Sequence, residues 1–136
     1  MNAREARSIR LPPELESVGQ ARTFVERALV AHLDDSADVL LMTSELVANV
    51  VLHVQTAVNL TVWPGPPVRV EVHNGEAATE AFRDLIRDSA MPEPSSSSGR
   101  GLGLVRRLAT RVGLNDDPGG GKVVWFEYAG SRRDEA

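Results

Sequence analysis

The chain has 136 residues, a formal net charge of −4 and no cysteine, so we expect one compact domain without disulfides or thiolate metal sites. The acidic balance argues against a nucleic-acid-binding protein. Lys122 is the single lysine and lies in no GxxxxGK(S/T) string, which excludes a Walker-type phosphate loop. The charged first ten residues lack a signal-peptide core and no apolar run approaches a membrane span, so we expect a cytoplasmic protein.

The first half of the chain predicts a short strand and two helices. Residues 8–11 can form the strand, and the two prolines that follow end it. Apolar residues at uneven helical spacing predict a first helix over residues 14–33. Asp34, Asp35 or Ser36 can cap a second helix that runs to about His53. This helix is apolar nearly all round, which predicts burial on more than one side.

The second half changes to the alternating pattern of strands. Strands are predicted at residues 58–62, 68–72, 112–114 and 123–128, and helices at residues 79–88 and 99–111. A polar Pro/Ser-rich segment at 89–98 has no reason to be rigid, and residues 130–136 are expected to fray. The order of elements predicts a two-layer α+β or α/β sandwich, with helices on one face of a mixed sheet.

A polar stripe runs along the second helix. Glu45, Asn49 and His53 are spaced i, i+4 and i+8, so they share one face of an otherwise apolar helix. A buried carboxylate and amide need partners or a ligand, which indicates a general base and an oxygen ligand for Mg²⁺. The alternative is that the stripe is simply the solvent face of the helix.

A glycine-rich string, GRGLGL, opens the helix at residues 99–104. Glycines let backbone N–H groups approach a phosphate, and the N-terminus of a helix favours negative charge. Arg100 adds a predicted phosphate contact. No strand runs directly into the glycines, which argues against a Rossmann site. The alternative is a flexible start to a helix.

The motifs in their order resemble a known superfamily. SELVANVVLH is followed by VEVHNG, then by GRGLGL and finally by GKVVWFEY. Over residues 8–128, this order resembles the GHKL ATPases, which include histidine-kinase catalytic domains, gyrase B and anti-sigma-factor serine kinases. The small size and the strings SEL-x-x-N and GKVVWFE are most similar to the stand-alone, anti-sigma-factor-like ATP-binding proteins of actinobacteria.

The resemblance implies a Bergerat-type sandwich with a mixed sheet and about three helices, formed by one domain over residues 1–136. It implies ATP and Mg²⁺ as ligands, with Glu45 as the catalytic base, Asn49 as the Mg²⁺ ligand and residues 89–98 as an ATP lid. The nucleotide-binding residues that it implies are Asn49, His53, Asn74, Gly75, Gly99, Arg100, Gly101, Leu102, Gly103, Leu104 and Val123.

Three positions depart from the pattern of this superfamily. Asn74 stands where an aspartate normally accepts a hydrogen bond from the amino group of adenine. Leu52 stands where a basic residue commonly touches phosphate, and Val123 where a threonine usually helps to bind adenine. A lost charge-assisted hydrogen bond is worth roughly 1.5–3 kcal/mol, so we expect weak or altered nucleotide binding.

Two functions of different class are consistent with these features. The first is a regulatory, anti-sigma-factor-like ATP-binding protein that acts as a serine/threonine protein kinase on a small antagonist. The second is a nucleotide-independent or weakly nucleotide-binding module that sequesters a sigma factor or a signalling partner. A third, weaker interpretation is an accessory nucleotide-binding subunit. The partners expected are a sigma factor, an antagonist protein or a second copy of the chain, and neither nucleic acid nor membrane.

Three further residues are interpreted more simply. Trp63 and Trp125 lie on predicted strands and are expected to pack there, although an exposed tryptophan could anchor a partner. His73 would line the nucleotide pocket only if the register of its strand slips.

Overall fold

The architecture was obtained as a computed structural model, which describes residues 5–33, 35–87 and 97–130, with the backbone alone for 97–100. Its strands are β1 (Arg7–Leu11), β2 (Val58–Trp63), β3 (Val68–Asn74), β4 (Arg111–Asp116) and β5 (Lys122–Tyr128). Its helices are α1 (Glu16–Leu29), α2 (Ala37–Asn49), α3 (Glu80–Arg87) and α4 (Ser97–Leu108). A π-helical turn at Val50–Val54 continues α2.

The strands form one sheet in the order β1-β2-β3-β5-β4, and every neighbouring pair is antiparallel. The predicted two-layer α+β class is confirmed, but the expectation of a mixed sheet is wrong. The chain between β3 and β4 passes through α3 and α4, and these two strands run in the same direction. β5, which follows β4 by a short turn, lies between them, so the parallel pair is replaced by two antiparallel pairs.

One face of the sheet forms the core with the helices. Inward side chains alternate along the strands, and the core residues they contribute are fully buried: Val58, Leu60, Val62, Val68, Val70, Val72, Val124 and Phe126. The opposite face carries half-buried side chains. There the Arg69 guanidinium lies over the Trp125 ring at 4.2 Å from its centroid and over Trp63 at 6.0 Å. The packing expected for the two tryptophans therefore takes place on the outer face.

The helices follow the predicted pattern with shifted ends. α1 is shorter than predicted at both ends, whereas α4 begins two residues earlier and β4 is longer than expected. Ser36 is the N-cap residue of α2 and makes no side-chain cap hydrogen bond, while the Asp35 carboxylate before it accepts a hydrogen bond from the Ala37 N–H at 2.9 Å. Asp34, residues 89–96 of the predicted lid and residues 131–136 of the tail lie outside the described residues.

The helical segment Ala37–Val54 has a mean hydropathy of 1.5 and is long and apolar enough to cross a membrane by length and composition. The expectation that no such stretch exists is therefore wrong, because scattered polar residues interrupt the apolar run without lowering its mean enough. In the fold the segment is a core helix that packs against α1, α4 and β3. Burial on several sides accounts for its composition, which fits a soluble domain.

Candidate functional site

A cavity of about 100 Å³ lies between the C-terminal half of α2 and the start of α4. Its walls bring together the predicted polar stripe and part of the glycine-rich string, and its lining residues are Glu45, Leu46, Ala48, Asn49, Leu52, His53, Gly101 and Leu102. The prediction that Glu45, Asn49 and His53 share one surface is confirmed. Glu45 and Asn49 are half-buried beside α4, whereas His53 is exposed, so the solvent-face alternative describes only the His53 end of the stripe.

Asn49 carries an unpartnered polar atom in this cavity. Its Oδ1 is buried and accepts no hydrogen bond within the described part of the chain. An unsatisfied buried acceptor costs roughly 1–3 kcal/mol, so its retention needs an explanation. An amide oxygen next to a carboxylate is a donor set that suits Mg²⁺. The residues at this end of the site therefore fit a hydrated Mg²⁺ with Asn49 as a ligand.

Gly101 lets α4 approach the Glu45 carboxylate closely. A Cβ atom at position 101 would lie 2.8 Å from Glu45 Oε1, closer than atoms of this kind can approach. Leu102, the next residue, is 2% exposed and anchors α4 in the core. A buried leucine thus holds the helix in place while its glycine leaves room for the carboxylate.

Gly103 and Leu104, the next residues of the glycine-rich string, do not line the cavity between α2 and α4. Gly103 is buried and Leu104 is half-buried. Gly99 and Arg100 lie in the first turn of α4, where N–H groups without helical partners could meet a phosphate. The predicted phosphate contact of Arg100 concerns a side chain that lies outside the described residues.

A second cavity, of about 220 Å³, adjoins the first because both are lined by Asn49 and His53. Most of its wall is apolar, from Val54, Ala77, Ala81, Phe82 and Leu85. Glu76, Thr79 and Lys122 supply the other polar groups. The two cavities together form a site with a polar end at α4 and a largely apolar end at α3.

Lys122 is a buried cation at the apolar end. Its side chain is 3% exposed, and its ammonium donates hydrogen bonds to Asn74 Oδ1 at 3.3 Å and to the Glu76 carbonyl oxygen at 3.1 Å. The Phe82 ring centroid lies 5.0 Å from the same nitrogen. Burial lowers the pKa of Lys122 below its ordinary value, and the charge of Glu76 partly offsets this effect.

Asn74 does not present its amide oxygen to either cavity. Asn74 is 1% exposed, and its Oδ1 accepts hydrogen bonds from the Glu76 N–H at 2.8 Å and from Lys122. Both lone pairs of that oxygen are therefore used. Gly75 is exposed, donates its N–H to Thr56 Oγ1 at 2.9 Å and lines neither cavity. The predicted contact of Asn74 and Gly75 with a nucleotide does not match this geometry.

Val123 was expected in the nucleotide pocket, and the structure corrects this placement. In β5, Lys122, Val124 and Phe126 are buried on the helix side, so the alternating Val123 points to the outer face. Lys122 therefore occupies the pocket side of this strand end. Its phase with Val124 and Phe126 was readable in the sequence, and that signal would have identified it.

His73 also lies on the outer face, so it does not line the pocket. Its ring nitrogens contact Asn59 Nδ2 at 3.2 Å and Asp117 Oδ2 at 2.6 Å. Hydrogen bonds from the Gly119 N–H and from His73 lower the pKa of Asp117. The His73–Asp117 contact ties β3 to the turn between β4 and β5.

Comparison with known families agrees with the fold. The model of the histidine kinase-like ATPase domain family matches residues 11–127. Because the match covers most of the chain, the protein belongs to this family of ATP-binding domains, and the GHKL-type superfamily predicted from the motifs is confirmed. No curated protein matches the chain.

Proposed function

We propose that this protein is a cytoplasmic, anti-sigma-factor-like regulator that binds ATP with Mg²⁺ in the two adjoining cavities. The observation that carries the proposal is the buried Oδ1 of Asn49, which has no hydrogen-bond partner among the described residues and lies where the cavities meet. In a protein that bound no ligand there, the unsatisfied acceptor would lower the stability of the fold with no functional reason for its presence. Family membership supports the nucleotide, because the matching domain is an ATPase domain.

The polar end of the site suits the triphosphate. Asn49 would hold Mg²⁺, which would neutralise charge on the phosphates. The first turn of α4, whose backbone N–H groups have no helical partners, comes just before Gly101 in the cavity wall and would meet the phosphates there. The larger, mainly apolar cavity would then take the base.

The kinase step that we propose uses Glu45. Its carboxylate lines the same cavity as Asn49, so it can accept the proton of an attacking serine hydroxyl on a small antagonist protein. The serine oxygen forms a bond to the γ-phosphorus as the bond to the β,γ-bridging oxygen breaks, and ADP leaves. The unphosphorylated antagonist would compete for this protein with a sigma factor, and a second copy of the chain is a further proposed partner.

A second candidate function is a partner-binding module with weak or no nucleotide binding. The contact that favours it is the pairing of Asn74 Oδ1 with Lys122 and the Glu76 N–H. This pairing leaves the buried amide oxygen without a free lone pair for the amino group of adenine. A module of this kind would retain the sandwich as a surface for a sigma factor or a signalling partner.

Replacing Asn49 by alanine tests the proposal. We expect ATP with Mg²⁺ to raise the melting temperature of the natural protein, because a ligand at 100 times its Kd stabilises the folded state by about 2.7 kcal/mol. Asn49→Ala should fold with equal or higher stability, since it removes an unsatisfied acceptor, and should lose the ATP-dependent shift. Thermal melts and calorimetric titration measure both quantities.

Asn115→Ala is the matched control, because Asn115 is exposed on β4 and pairs in register with Val123 on the outer face. It should keep the full ATP-dependent shift. The proposal is contradicted if the natural protein shows no shift at millimolar ATP with Mg²⁺, and that result would favour the partner-binding module.

A further inference from the structure

We infer that the cavity beside Lys122 selects purine nucleotides with a keto oxygen at position 6 over those with an amino group there. This inference rests on the proposed function, since it concerns which base the nucleotide site binds more tightly. It assigns the role of specificity determinant to Lys122, a residue that the proposed function does not use.

The two cavities fix the direction in which a nucleotide lies. They share Asn49 and His53, so a ligand with its phosphates at Asn49 extends into the larger cavity beyond them. The far wall of that cavity contains Phe82, Leu85 and Lys122. Apolar walls with one aromatic ring suit a flat heterocycle, and the base therefore approaches the buried ammonium.

The hydrogen-bonding groups at this end favour an acceptor on the ligand. The Lys122 ammonium has three donors, and its contacts with Asn74 and with the Glu76 carbonyl oxygen use two of them. A keto oxygen can accept the third. An exocyclic amino group brings donors to a donor, which leaves the third N–H of the ammonium without a partner after the base has excluded water.

The acceptors near the base do not compensate for this mismatch. Asn74 Oδ1 already accepts two hydrogen bonds. The Glu76 carboxylate and the Thr79 hydroxyl belong to exposed residues, so their contacts with an amino group replace contacts with water and contribute little selectivity. At the α3 end of this cavity, away from Asn49, the buried polar group among the described residues is thus the Lys122 ammonium, which offers a donor.

Inosine triphosphate is the most direct probe. It differs from ATP in having a keto oxygen in place of the amino group at position 6, together with the proton that N1 then carries. We expect calorimetry with Mg²⁺ to give a Kd for inosine triphosphate about tenfold or more below that for ATP, as a hydrogen bond to a charged group allows. GTP should follow inosine triphosphate, because it has the same oxygen.

Lys122→Met tests the assigned residue, since methionine keeps an unbranched side chain of similar length and removes the ammonium. We expect this variant to bind inosine triphosphate and ATP with Kd values within about threefold of one another. Arg22→Met on exposed α1 also removes one positive charge and should keep the preference of the natural protein. Thermal melts of all three proteins show whether each is folded at the titration temperature.

The outcomes separate this inference from the proposed function. Binding of ATP as tight as or tighter than that of inosine triphosphate to the natural protein overturns the inference and leaves the proposed function standing. An unchanged preference in folded Lys122→Met overturns the role of Lys122. Absence of binding by ATP, GTP and inosine triphosphate at millimolar concentration overturns both. The comparison in the natural protein stands even if Lys122→Met does not fold.

Discussion

Asn49 and Gly101 show how much of the site depends on single side chains. The Asn49 amide oxygen is buried and has no partner in the part of the chain that the structure describes, and the missing side chain at position 101 leaves space for the Glu45 carboxylate. Both positions are costly for folding, because one leaves an acceptor unsatisfied and the other weakens a helix. Their costs are explained if the cavity between them binds a ligand.

Gly101→Ala should separate ligand binding from stability. The added methyl group would lie 2.8 Å from Glu45 Oε1, and the flexible glutamate can rotate away. Alanine is the better helix former by about 1 kcal/mol, so the free energy of unfolding should stay equal or rise. The displaced carboxylate should lower phosphotransfer at least tenfold. Denaturant unfolding and transfer of labelled phosphate to the antagonist measure the two effects.

Gly19→Ala is the matched control for that substitution. Gly19 lies on the exposed face of α1, and an added Cβ would meet nothing within 4 Å. This variant should gain about 0.5–1 kcal/mol of stability and keep its activity. Equal activity in the two alanine variants would show that Gly101 is a packing residue without influence on Glu45.

The end of α2 illustrates what one element contributes to the site. The helix widens into a π-helical turn at Val50–Val54, and Gln55 ends it with a left-handed φ of 63°. The Gln55 N–H donates to the Val50 carbonyl oxygen at 2.7 Å. π-Helical turns are uncommon and often lie at functional sites. This turn carries His53 and Leu52, which line the cavity beside Asn49.

Gln55→Gly should stabilise the protein, because glycine adopts a left-handed conformation without the penalty of a Cβ atom. We expect the free energy of unfolding to rise by about 0.5–1 kcal/mol, as measured by urea denaturation. The same substitution at Gln20, on the exposed side of α1, should lower it by about 1 kcal/mol. A loss of stability in Gln55→Gly would mean that the glutamine side chain makes a larger contribution than its backbone strain costs.

At the scale of the whole molecule, contacts between distant segments join the two layers. The Tyr128 hydroxyl in β5 donates a hydrogen bond to Asp38 in the first turn of α2 at 3.0 Å. The two residues are 90 positions apart in the chain, so the contact exists only in the folded protein. Burial, and then the hydrogen bond and charge of Asp38, raise the pKa of Tyr128 above 10.0.

This raised pKa predicts how stability depends on pH. A group with a higher pKa in the folded state stabilises the protein fully below its unfolded pKa and loses that contribution as pH rises through the folded pKa. The natural protein should therefore be more stable than Tyr128→Phe by about 1 kcal/mol at neutral pH. The difference should shrink above pH 10, as followed by urea denaturation at several pH values.

Lys122 also titrates near this pH range, but it changes stability with pH in the opposite direction. Its pKa is lowered, so stability should rise as pH approaches 10.5 from below. This effect is common to the natural protein and Tyr128→Phe, and it cancels in their difference. Tyr128 is the single tyrosine of the chain, so ultraviolet absorbance of its phenolate measures the pKa directly. A difference in stability that stays constant above pH 10 would contradict the assigned hydrogen bond.

Local patterns in the sequence determined the elements and one wall of the site. The period of the apolar residues predicted the helices and strands, because side chains on one face of an element must share the core. The i, i+4, i+8 spacing placed Glu45, Asn49 and His53 on one surface, and the glycines at 99–103 marked the start of α4. The order of these motifs also identified the ATPase superfamily.

Pairing between distant segments was decided by the tertiary structure. Insertion of β5 between β3 and β4 made the sheet antiparallel, and no local pattern specifies which strands become neighbours. The same pairing placed Lys122 against Asn74 and turned Val123 to the outer face, because strand register sets which side chains point inward. The sequence by itself thus determined which polar residues are available to the pocket. Their hydrogen-bond partners, and therefore the chemistry of the pocket, depended on contacts between segments that are distant in the chain.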